Sequence, residues 1–195
     1  MKRPLKIVLA ALVALILGSG IGVGSAIAGY ETIMGMQSVT NGAWQTNLDV
    51  GSSEANPYVR AWVAVHGLLA LNQSETIYCN AYTDESGKPF DGNSVYRIEG
   101  KAPDARWWSI TVYGEDDFLI PNPLNRYSYS GNTVTYDKDG KFTIYLSRSE
   151  KPGNWIPLGD QKKFNLSLRL YNPGESIRNN FAGCDLPRII REDSK

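Results

Sequence analysis

Near the C-terminus the chain reads KFNLSLRLYNP. Phe164, Leu166, Leu168 and Leu170 share one parity, and Asn165, Ser167, Arg169 and Tyr171 share the other. A period of two is that of a β-strand with one buried face. The same division recurs along the chain. In RWWSITVYG, Trp108, Ile110 and Val112 stand opposite Trp107, Ser109, Thr111 and Tyr113. In KFTIYLS, Phe142, Ile144 and Leu146 stand opposite Thr143, Tyr145 and Ser147; in TIYCNAYT, Ile77, Cys79 and Ala81 stand opposite Tyr78, Asn80 and Tyr82. With SVYRIEG, NRYSYS and TVTYD these make about seven short strands, punctuated by turn signals such as Asp91-Gly92, Asp139-Gly140 and Pro152-Gly153. Strands at this spacing predict a mainly β domain, an antiparallel β-sandwich of the jelly-roll kind.

Two segments follow a helical period. PYVRAWVAVHGLLAL, Pro57 to Leu71, gathers Val59, Trp62, Val63, Val65, Leu69 and Ala70 on one face. Pro57 suits a first helical position and Asn56 an N-cap. His66, the single histidine, falls on the apolar face and reads as a core residue. At the other end, MKRPLK is followed by an uncharged apolar run of 23 residues, Ile7 to Gly29. That length crosses a bilayer, while Ala26-Ile27-Ala28 has the form of a signal cleavage site. Gly18, Gly20, Gly22 and Gly24 give two overlapping GxxxG spacings, which would let two such helices approach closely. The chain thus divides into residues 1–29, a transmembrane anchor or signal peptide; 30–56, a linker with one docking aromatic, Trp44; and 57–195, the β domain with its leading helix. An anchor predicts a single-pass membrane protein with its domain outside the cytoplasm, in a bacterium the inner membrane and the periplasm; a cleaved signal predicts an exported protein, there a periplasmic one.

Charge narrows the partners. Residues 1–29 hold three of the 20 Lys and Arg and none of the 20 Asp and Glu, so the remainder carries 17 against 20, a net charge of −3. No basic stripe remains, and a nucleic-acid partner is not expected. The two cysteines, Cys79 and Cys184, both lie in the exported part, where a disulfide is the expected state. It would close a loop of about 105 residues and stabilise the fold by roughly 4–5 kcal/mol.

The chemistry of common enzymes is missing from the motifs. There is no GxSxG elbow, HExxH, CxxC or phosphate-cradling glycine loop. Asp137-Lys138-Asp139-Gly140 reads as a β-turn and Glu115-Asp116-Asp117 as a solvated turn; neither a metal site nor a cofactor is expected. What stands out is the polar face rich in Tyr, Trp, Ser, Thr, Asn and Arg. Flat rings with hydroxyls hold a sugar, such residues also mark protein-interaction hot spots, and aromatic pairs stabilise an exposed sheet by themselves. Arg126 and Arg169 have the planar fork that clamps a carboxylate or phosphate, but each neighbours aromatics and is open to cation–π stacking instead.

The blocks also have a familiar order. Asn154-Trp155-Ile156-Pro157 and a strand ending Leu-Arg-Leu-Tyr-x-Pro, preceded by RAWVAVHGLLALN, Glu75-x-x-Tyr78, Gly92-x-x-x-Tyr96 and ARWWSITVYGEDDFLIPNPLNRYS, resemble the bacterial "domain of unknown function 1214" family over roughly residues 57–192. The resemblance implies a jelly-roll β-sandwich and, because such domains often accompany a second one numbered 1254, a separate envelope partner carrying that companion domain. It implies no reaction. The ligand-binding candidates are Trp107, Tyr113, Arg126, Tyr145, Asn154, Trp155, Arg169 and Tyr171. The expected function is that of a non-catalytic binding or assembly module of the envelope, with a carbohydrate- or lipid-ligand domain as the alternative and an enzyme acting on envelope glycans behind both.

Overall fold

The chain opens on one long helix, α1 (Arg3–Met36). The computed structural model describes residues 3–65 and 70–192. An 18-residue window of α1 has a mean hydropathy of 2.5 and is wholly unburied. The helix is long and apolar enough to cross a membrane, a test that a signal sequence also passes. Its C-terminal end docks on the rest of the molecule. Ile33 and Met34 pack against a small cluster formed by Val50, Ala55 and Val59. Gly29 lies against the ring of Tyr58, where a Cβ would sit 2.6 Å from the ring.

Among the described residues ten strands follow: β1 (Val39–Asn41), β2 (Trp44–Thr46), β3 (Thr76–Ala81), β4 (Val95–Lys101), β5 (Ala105–Gly114), β6 (Ser128–Ser130), β7 (Lys141–Ser147), β8 (Asn154–Pro157), β9 (Phe164–Pro173) and β10 (Arg188–Glu192). They form a six-stranded sheet, β1-β2-β3-β9-β5-β6, and a four-stranded sheet, β10-β4-β7-β8, both open. The protein is mainly β with two sheets and an N-terminal helix, as the alternation predicts. The expected all-antiparallel pairing needs one correction, because β7 and β8 run parallel. The segment between them doubles back, turning at Gly153 with a φ of +82°. Asn154 then fixes the return. Its side-chain amide donates to the carbonyls of Thr135 and Thr143, at 2.9 and 3.0 Å, and its oxygen accepts from the Thr135 amide at 2.8 Å. The TVTYD segment, expected as a strand, makes a single bridge between Tyr136 and Phe142.

The apolar parity of every long strand faces one core. Ile77, Cys79 and Ala81 of β3 meet Trp108, Ile110 and Val112 of β5 and Leu166, Leu168 and Leu170 of β9, and these pack in one cluster with Ile98, Phe142, Ile144 and Leu146 of the other sheet. Burying each such side chain contributes about 1.5–3 kcal/mol before the entropy of ordering it.

The linker expected over 30–56 is also corrected. α1 continues to Met36, and β1 and β2 extend the six-stranded sheet as a hairpin with Asn41 opposite Trp44. Gly42 makes that tight turn with a φ of +58°, a conformation glycine adopts without steric cost. Trp44 is buried, and its indole N–H donates to the Pro187 carbonyl at 2.6 Å. Asn41 donates to the carbonyls of Phe181 and Cys184, both at 2.8 Å, tying the hairpin to the C-terminal 3-10 turn Phe181–Gly183.

The soluble helix, α2 (Pro57–Val65), is capped as expected. The Asn56 side-chain oxygen accepts from the amides of Tyr58 and Val59 at 2.9 and 3.1 Å. It is shorter than the expected 57–71, since Ala70 and Leu71 are not helical. His66 lies outside the described residues. A short α3 (Glu175–Asn179) follows β9.

Candidate functional site

Register assembles the polar parity of β3, β9 and β5 into rows on the outer face of the six-stranded sheet. Tyr78 pairs with Arg169 and Arg169 with Ser109; Asn80 pairs with Ser167 and Ser167 with Thr111; Asn165 pairs with Tyr113 and Tyr171 with Trp107. This face is not plain solvent covering. Ser109, Thr111, Asn165 and Ser167 are all buried. Trp62 of α2 borders two cavities there, of about 260 and 230 Å3, which share Trp62, Tyr78, Asn80 and Tyr82 and so form one groove. The first runs toward Met34 and Ser38 at the end of α1, and the second toward Tyr113, Arg169 and Asp117.

Arg169 is the fixed cation of the second cavity. Its guanidinium donates to the Tyr113 hydroxyl at 2.8 Å and to Thr111 Oγ1 at 3.3 Å, and lies 5.6 Å from the Tyr113 ring centroid. At the near end, Asn165 donates to the Gly114 carbonyl at 3.2 Å and to Asp117 Oδ1 at 3.0 Å. Asp117 takes a φ of +61°, the left-handed conformation that turns its side chain back toward the sheet. The groove therefore offers aromatic walls, amide and hydroxyl groups, and one charge of each sign. Asp117 is the one carboxylate among the described residues lining the second cavity. A glycoside hydrolase needs two, about 5–10 Å apart. Glu115, two residues earlier, instead pairs with Lys163 at 2.8 Å on the exposed side. Among the described residues no three metal-ligating side chains gather.

The eight residues singled out from sequence do not form one site. Tyr113 and Arg169 line the groove. Trp107 and Tyr171 share its sheet face but lie at the end away from Asp117, as an edge-to-face pair 5.2 Å apart. Tyr145 belongs to the four-stranded sheet, opposite Arg97 and Trp155. Arg126, Asn154 and Trp155 lie outside both cavities and make contacts within the fold. Arg126 donates to the Trp155 carbonyl at 3.2 Å and stacks over Tyr129, whose hydroxyl accepts from the Trp155 amide at 3.1 Å. The Trp155 indole donates to the Ser147 hydroxyl at 3.0 Å. Sequence reasoning left Tyr78, Asn80 and Tyr82 off the site although their alternation matched the other strands. It also read Trp62 as part of an apolar helix face and Asp117 as a solvated turn.

In this structure Cys79 and Cys184 stand as free thiols. Cys79 is buried on the core side of β3, while Cys184 donates to the Phe181 carbonyl at 3.2 Å. Burial, and then the neighbouring Cys184, pushes the Cys79 thiol well above its ordinary pKa. Burial also raises that of Cys184, against the hydrogen bond from Asn41.

A family described as a protein of unknown function, DUF1214, matches residues 75–175, just over half of the chain. The chain belongs to this family. The DUF1214 span contains every sheet residue of the second cavity, from Tyr78 to Arg169, whereas Met34 and Trp62 precede it. A crystal structure of the VPA0106 protein from Vibrio parahaemolyticus is similar at 31% identity over 72% of this chain, with a TM-score of 0.59. The DUF1214 chain spans 36% of that protein's length. An uncharacterised protein from Burkholderia cenocepacia is similar at 17% identity, covering 62% of this chain and 30% of that one, with a TM-score of 0.42. No match to a curated protein was found.

Proposed function

We propose that this DUF1214 protein is a non-catalytic binding module, a jelly-roll-like β-sandwich held at the outer side of the cytoplasmic membrane by α1. Its site is the groove on the outer face of the six-stranded sheet. One observation carries the reading: the polar parity of three adjacent strands lines an open groove of aromatic and hydrogen-bonding side chains, bordered by Trp62 of α2. The Arg169 end of the groove, a cavity of about 230 Å3, is smaller than the roughly 300–1,000 Å3 of drug-sized sites, so the group that fits there is small and polar, of the size and character of a sugar unit. Rings of Tyr78 and Tyr82 would stack on its C–H faces, and Asn80, Ser167 and Asn165 would take its hydroxyls.

The test uses the full chain in detergent. Intrinsic Trp fluorescence and melting temperature are followed against a panel of envelope glycans and lipids. A saturable response is expected, weakened about tenfold by Tyr82→Ala while the circular dichroism spectrum is kept. A response indifferent to Tyr82, or no response across the panel, removes the groove as the site.

A second reading rests on the Vibrio relative, most of whose length lies beyond the matched part. A separate envelope protein, carrying the companion domain 1254, would then supply in trans what the longer relative holds in one chain. The Trp107–Tyr171 pair, with Trp107 37% exposed, is the fitting contact. On this reading Trp107→Ala abolishes co-purification of one stoichiometric partner from native membranes, and Tyr82→Ala does not.

A further inference from the structure

We infer that the ligand of this groove carries an anionic group, a carboxylate or a phosphate, and that Arg169 receives it. The inference rests on the groove being a binding site and adds the charge of what it binds. Arg169 is half-buried, yet no carboxylate lies within ion-pair distance of it among the described residues. Its polar contacts are two hydroxyls, Tyr113 at 2.8 Å and Thr111 at 3.3 Å. A guanidinium taken partly out of water is ordinarily matched by a carboxylate, because desolvation of an unpaired charge is costly.

Three other arginines of the fold give the comparison. Arg97 has Glu99 at 3.1 Å and Glu192 at 3.3 Å, and Arg191 has Asp91 at 3.6 Å. Arg126 is spent on a backbone carbonyl. Arg169 alone of these four both lines a cavity and keeps donors that no carboxylate or carbonyl takes. Asp117 lines the same cavity but accepts from Asn165 rather than from Arg169. The Tyr113 hydroxyl and ring and the Thr111 hydroxyl hold the guanidinium against the sheet, leaving its remaining N–H groups to donate to an oxyanion.

The experiment compares matched probes on the full chain in detergent at constant ionic strength: glucuronate, glucose and inorganic phosphate, each read by titration of Trp fluorescence. Glucuronate or phosphate is expected to bind at least about tenfold more tightly than glucose, the scale of one charge-assisted hydrogen-bond pair. Arg169→Gln is expected to erase that preference, and Arg169→Lys to restore part of it, with near-ultraviolet circular dichroism confirming the native sheet in both. Glucuronate and phosphate both binding no more tightly than glucose overturns the anion inference and leaves the groove standing. Anion binding that survives Arg169→Gln overturns it as well. An anion preference that depends on Arg169 but ignores Tyr82→Ala supports the inference and instead removes the stacking part of the groove reading. No binding of any probe overturns both.

Discussion

The two sheets rest on one core but turn faces of different chemistry outward. On the four-stranded sheet the central arginine is matched by carboxylates. Arg97 sits between Glu99 and Glu192, and Lys151 joins Glu192 from the next turn at 3.8 Å. On the six-stranded sheet the central arginine meets only hydroxyls and a ring, beside a groove. An arginine already matched by carboxylates needs no further partner. An arginine beside aromatic walls without one is the feature on which the proposed site rests. The contrast between the two arginines is drawn without any appeal to motif.

The largest effect tests the shared core beneath the two faces. Leu168 under Arg169 and Ile144 under the second face are both fully buried. Leu168→Ala and Ile144→Ala are each expected to destabilise by about 2–5 kcal/mol, read by urea unfolding of the full chain in detergent. A loss in only one of them would mean that the two faces do not share a support.

The next effect lies where the sheets are joined. Asp84, in the turn after β3, is buried, and its Oδ1 accepts from the amides of Ser86 and Lys88 and from the Ser86 hydroxyl. The adjacent Glu85 amide donates to the Ile189 carbonyl of the other sheet at 2.9 Å. Burial pushes the Asp84 carboxyl upward, but the Ser86 hydroxyl, the Lys88 and Ser86 amides and Arg191 together hold it below its ordinary value. A depressed carboxyl stabilises the fold above its unfolded pKa of about 4, and that contribution is lost as pH falls through the lower folded value. Asp84→Asn is expected to cost about 1–3 kcal/mol at pH 7. The gap in melting temperature between variant and wild type should narrow between pH 5 and 3. A gap independent of pH would show that the turn is held by shape alone.

The smallest effect goes to the comparison itself. Arg97→Gln is expected to cost no more than about 1 kcal/mol at low salt, shrinking toward zero in 1 M salt, because its partners are partly exposed carboxylates. The cost of Arg169→Gln comes from hydroxyl contacts and should not follow salt. Equal salt sensitivity would mean that Arg169 has a carboxylate partner in solution.

Much of this was legible in the sequence, and the misses have physical reasons. Period-two alternation placed the buried and outward faces of β3, β5, β7 and β9 correctly, since a slip of one residue would bury Arg169 and expose Leu168. β1 and β2 were missed because three residues are too few to display a period. The parallel β7–β8 pair was missed because alternation reports faces, not partners. Arg126 and Arg169 have similar aromatic neighbours along the chain, and only the fold sends one to a carbonyl and the other to a cavity. Asp117 was hidden because a left-handed turn residue re-aims its side chain in a way no spacing rule contains.

The junction between α1 and the first sheet has a mechanical meaning. Two residues, Gln37 and Ser38, separate Met36 from Val39. The Gln37 amide donates to the Ile33 carbonyl at 3.0 Å and the Ser38 hydroxyl to the Met34 carbonyl at 2.7 Å. With Met34 and Ser38 also lining the groove, the end of α1 is itself part of the groove wall, and only two residues of chain stand between helix and sheet. On the proposed reading of α1 as an anchor, the membrane and the groove are then joined by a short hydrogen-bonded turn instead of a length of slack chain.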